Sequence, residues 1–63
     1  MHRYYLTQRP PGLGCQPNDF IGVEWFVGKI FVPVIGREAW GYVEYDRRLT
    51  EQEIRDYELV EKK

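Results

Sequence analysis

Cysteine and histidine are almost missing from this chain of 63 residues: Cys15 has no second thiol and His2 no second imidazole. One cysteine closes no internal disulfide, and without Cys/His clusters the spacing of a structural zinc site is lacking. A lone thiol suits a reducing compartment, so the expected location is cytoplasmic. No apolar run approaches the roughly 18 residues of a membrane span, and no basic-then-apolar leader is seen, so neither a span nor a signal peptide is expected. Positive charge is not in excess either. Nine Lys and Arg against ten Asp and Glu give a formal charge of -1, which argues against an overall basic nucleic-acid binder and leaves room only for a local cluster. Catalytic cues are equally sparse. Cys15 has only His2 as a conceivable activating base, and Gly12-Leu13-Gly14 follows prolines instead of leading from a strand into a helix, so it is no phosphate loop.

What is present is apolar. Hydrophobic residues make up 43% and aromatics 16% of the chain, enough to exclude a disordered polymer. A single domain this small hides only about 60% of the surface its unfolded chain exposes. Disulfides, a metal or association with another chain are the usual supplements. With the first two unsupported, association is expected, and a homo-oligomer is the preferred form.

The pattern predicts an α+β domain over residues 1–63: a small antiparallel sheet of three to four strands followed by one C-terminal helix. Residues 3–8 carry β-favouring side chains before Pro10 and Pro11 stop the ladder. A Pro/Gly-rich connection, RPPGLGCQPND over 9–19, leads to a strand over 20–27. Gly28-Lys29 reads as a turn into a strand over 29–35, where Pro33 demands an edge or a bulge. Gly36-Arg37 offers another turn, and residues 39–46 form the clearest strand, with Gly41 marking a bulge or a close backbone approach. The helix is expected over 50–60. Thr50 and Glu53 make a capping box, Leu49 and Ile54 a hydrophobic staple, and Glu51/Arg55 and Glu58/Lys62 stand as i,i+4 pairs.

Alternation puts aromatic or aliphatic residues on both sides of the strands, unlike a sheet with one wet face. One short helix covers one side. The other needs the Pro-rich connection, a second copy or a different partner. Trp25, Phe26, Trp40 and Tyr42 are the candidate interface residues, and Tyr4, Tyr5, Trp40 and Tyr42 beside Arg3 and Arg37 are candidate platforms for stacked bases, against core or interface packing as the simpler use of those rings. Among polar residues, Arg47, Arg48, Arg37 and Lys29 are candidate phosphate ligands, against the plainer reading in which Arg47 or Arg48 pairs with Glu44 or Asp46 at a solvated corner. Asp19 is the candidate acid for catalysis or for holding magnesium, against an Asx turn ahead of the Phe20 strand.

YYLTQRPPG, GCQPNDF, AWGYVEYDRRLT and EIRDYEL together resemble small proteins encoded in clostridial prophages and other mobile elements. That set includes an anti-CRISPR group with a fold like positive cofactor four, a curved antiparallel sheet followed by a helix. The resemblance implies an oligomeric phage anti-defence protein inside a host cell, acting on DNA by nicking or relaxing supercoils, with DNA or a host defence protein as partner. Two features depart from it: the chain is not basic, and its acids show no pairing suited to two-metal phosphoryl chemistry. The alternative is a non-catalytic module that binds protein through an exposed aromatic sheet face.

Overall fold

The computed structural model describes residues 1–62. Its elements are β1 (His2–Leu6), β2 (Gly22–Val32), β3 (Arg37–Tyr45), α1 (Glu51–Asp56) and β4 (Leu59–Glu61). The strands form one sheet in the order β2-β3-β1-β4, with every neighbour antiparallel. The α+β class is as the sequence predicts. The aromatic first strand lies inside the sheet: Tyr4 stands opposite Val43 and Tyr5 opposite Tyr42 on one side, while Leu6 faces Leu59 on the other.

Two boundaries differ from the sequence pattern. Gly28-Lys29 is not a turn, because β2 runs unbroken from Gly22 to Val32. Trp25 pairs with Gly41 and Ile30 with Ala39, so residues 26–29 bulge opposite Trp40 alone. Gly28 takes a left-handed conformation there, φ 78, which costs glycine little. The chain reverses instead at Pro33–Gly36, where the Gly36 N–H donates to the Val32 carbonyl at 2.9 Å. Pro33 thus falls just past an edge strand, where no ladder donor is required.

The helix is the second difference. Its start is as expected: the Glu53 N–H donates to Thr50 Oγ1 at 3.1 Å and the Thr50 N–H donates back to Glu53 Oε1 at 2.9 Å. It ends at Asp56, not at residue 60. Glu58 adopts φ 55, a left-handed conformation that cannot continue a helix, and Val60 then pairs with Tyr5 in β4. That pairing gives β1's second edge hydrogen-bond partners that a longer helix would withhold. Glu58 and Lys62 are consequently not a helical pair; Arg9 Nη2 donates to Glu58 Oε1 at 2.7 Å.

The main core gathers Tyr4, Leu6, Val43, Tyr45, Leu49 and Leu59. Both covering segments pack on it, the Pro-rich connection through Cys15 and Phe20 and the helix through Ile54 and Tyr57. The connection is bonded down rather than merely draped. Tyr45 Oη donates to the Pro17 carbonyl at 2.8 Å and the Trp25 indole N–H to the Pro11 carbonyl at 2.7 Å. Gly41 is the contact point: a Cβ there would collide with the Glu24 carbonyl oxygen and come within 2.9 Å of Pro11 Cγ. A second cluster joins Tyr5, Val32 and Ala39 to Phe26, Ile35 and Tyr42, so the end of the β2–β3 hairpin shields what the helix does not reach.

Candidate functional site

Asp19 and Arg47 meet at the corner where the connection, the end of β3 and the start of α1 converge. Arg47 Nε donates to Asp19 Oδ2 at 2.6 Å and Nη2 to Asp19 Oδ1 at 3.1 Å. The same guanidinium reaches Glu53, Nη1 to Oε1 and Nη2 to Oε2, both at 2.9 Å. Arginine's planar fork suits this double bidentate grip. The carboxyl of Asp19 is held below its ordinary range chiefly by the Arg47 hydrogen bonds. That of Glu53 is pulled to about 2 by Arg47 first and by the Thr50 backbone N–H second. Arg47 therefore ties the connection to the helix cap. Among the described residues no three or more His, Cys, Asp or Glu side chains cluster as a metal-binding group.

The other candidate basic residues occupy separate settings. Arg48 Nη2 lies 3.6 Å from Glu61 Oε1 at an exposed position. Lys29 Nζ stands 5.9 Å from the centre of the Trp40 ring, and Arg37 opens β3. The corner is solvated and ion-paired as the plainer reading has it, but the partners are Asp19, Glu53 and Glu61 instead of Glu44 and Asp46. Glu44 pairs with Arg3 at 2.8 Å.

Of the four candidate interface rings, Trp25 alone is well exposed, at 56%. Tyr42 lies beneath Arg3, whose Cζ is 3.9 Å from the ring centre, and packs edge-on against Tyr5 and Phe26. Trp40 is half-buried. The sequence reading missed the neighbours that join Trp25 on the surface: Val27 is 100% and Phe31 60% exposed, with Ile30 and Val34 also outside. All but Val34 lie on β2, whose outer edge has no neighbouring strand. No local signal marks this edge, because Pro33, which places a strand it interrupts at an edge, falls just past β2. Unpaired backbone groups flanked by large apolar side chains form a template for another chain.

No helix among the described residues is long and apolar enough to cross a membrane. No curated protein and no solved structure matches the chain. One family model does, over the whole of residues 1–63, and by that match the chain belongs to the family described as Defence against restriction A C-terminal.

Proposed function

We propose that the protein serves phage defence against restriction as a non-catalytic docking module that takes up a strand or apolar surface of another protein along β2. The observation that carries this reading is the concentration of exposed Trp25, Val27, Ile30 and Phe31 on one unpaired edge strand. Scattered surface hydrophobics are ordinary, whereas several large ones on one unpaired edge strand mark it as an interaction surface. A homo-oligomer uses the same face if the partner is a second copy.

The finer reading, an anti-CRISPR-like protein of clostridial type that nicks or relaxes DNA, rests on the sequence resemblance and on Asp19. Both oxygens of that carboxylate accept from Arg47, so docking has the firmer structural support. Magnesium and DNA as ligands belong to that finer reading.

Protection of phage DNA tests the docking reading. Substituting Val27→Lys together with Phe31→Lys, at exposed positions where folding is little affected, is expected to lower plating efficiency on a restricting host to the level seen without the protein, with plating on a non-restricting host unchanged. Full protection by this variant would remove the reading. Sedimentation of the unaltered protein then separates the occupants: a dimer mass that the substitutions reduce to a monomer identifies a second copy. Open-circular product from supercoiled plasmid with magnesium, lost in Asp19→Ala, would favour the enzyme instead.

A further inference from the structure

A cleft of about 510 Å³ opens where β1 leaves the sheet, β3 enters it and α1 gives way to β4. That volume lies in the range of small-ligand sites. Its wall is apolar, from Ile54, Leu59 and Val60. Arg37 and Arg55 also line it, and among the described residues neither has an ion-pair partner. The acids at the cleft are Glu51 and Glu58, but Glu58 is neutralised by Arg9 at 2.7 Å, leaving two free guanidinium groups against one carboxylate. Thr7 lines the cleft and is only 4% exposed, yet its hydroxyl has no hydrogen-bond partner.

We propose that this cleft binds a free carboxylate carried beside an apolar side chain, the carboxylate on Arg37 and Arg55 and the apolar group on Ile54, Leu59 and Val60. Two sources share that chemistry, the C-terminal end of a peptide and a small free acid. The site is separate from the β2 edge and does not depend on the docking function.

Amide resonances of isotopically labelled protein, followed during titration to millimolar probe, test it. The probes are N-acetyl-leucine, its uncharged amide, and an N-acetylated hexapeptide of alanines ending in leucine as the free acid. The acids are expected to shift Thr7, Arg55 and Val60, and the amide to leave them in place. Arg55→Gln is expected to weaken N-acetyl-leucine about tenfold, the loss of one charge-assisted hydrogen bond. Arg37→Gln is expected to weaken it to a similar extent. Tighter binding of the hexapeptide than of N-acetyl-leucine assigns the site to a peptide end, and equal binding to a free acid. No shifts with either acid, or equal shifts with acid and amide, would overturn the proposal.

Discussion

Arg47 shows how one side chain replaces covalent cross-links in a chain that has none. It joins residues 28 positions apart in sequence through Asp19 and six apart through Glu53. Exposed ion pairs contribute little individually, but a shared guanidinium orders both carboxylates at the cost of fixing one long side chain. Acid should undo it in a definite direction. Glu53 has its carboxyl pulled from 4.5 in the free state to about 2 in the fold. Its contribution is therefore complete above pH 4.5 and disappears as pH falls through 2. Asp19, lowered from 3.8, acts in the same sense. Thermal midpoints between pH 5 and 2 should fall more steeply for the natural protein than for Glu53→Gln, which keeps an acceptor for the Thr50 N–H but no charge. Parallel curves would show that the pair has no part in folding.

At the level of elements, the Pro-rich connection and the sheet are fitted to each other at Gly41. Gly41→Ala places a methyl group against the Glu24 carbonyl and the Pro11 ring, and backbone can yield there only by parting β2 from β3 or lifting the connection. Urea unfolding should report a loss of at least about 3 kcal/mol, the upper end for overpacking; an unchanged midpoint would mean that one of the two segments moves freely. This approach was legible in the sequence because glycine inside an otherwise ideal strand has few other reasons to be there. The capping box at Thr50 and the strand around Val43 were legible for the same kind of reason, each set by neighbours in the chain. What stayed hidden depends on distant partners. Ile54, Tyr57 and Val60 continue a helical spacing through a break at Glu58 that no glycine announces, and only β1 explains why Val60 joins the sheet. Gly28 correctly signals a left-handed backbone, but a bulge and a hairpin turn use the same signal. The Arg47–Asp19 pair and the Trp25–Pro11 bond join segments whose spacing in sequence has no periodicity, so nothing local marked them.

Across the whole molecule, four of the six arginines are paired where they stand. Arg3, Arg9, Arg47 and Arg48 each face a carboxylate, and those cations have less to offer a phosphate chain. Binding to a labelled duplex at physiological salt is accordingly expected to be no tighter than the roughly 10⁻⁴–10⁻⁶ M of non-specific association. Arg47→Ala should lower the thermal midpoint and leave that weak binding unaltered. A selective loss of duplex affinity at constant stability would instead return Arg47 to the role of a phosphate ligand. The pairing of β1 with both β3 and β4 has a consequence for biosynthesis. Residues from the two extremes of the described chain adjoin, with the Lys62 N–H donating to the Arg3 carbonyl at 3.0 Å. A ribosome must therefore release almost the entire unit before its first strand acquires its second neighbour. Until then the nascent segment waits half-assembled, and the tempo of translation sets how long its greasy surfaces stay open to chaperones.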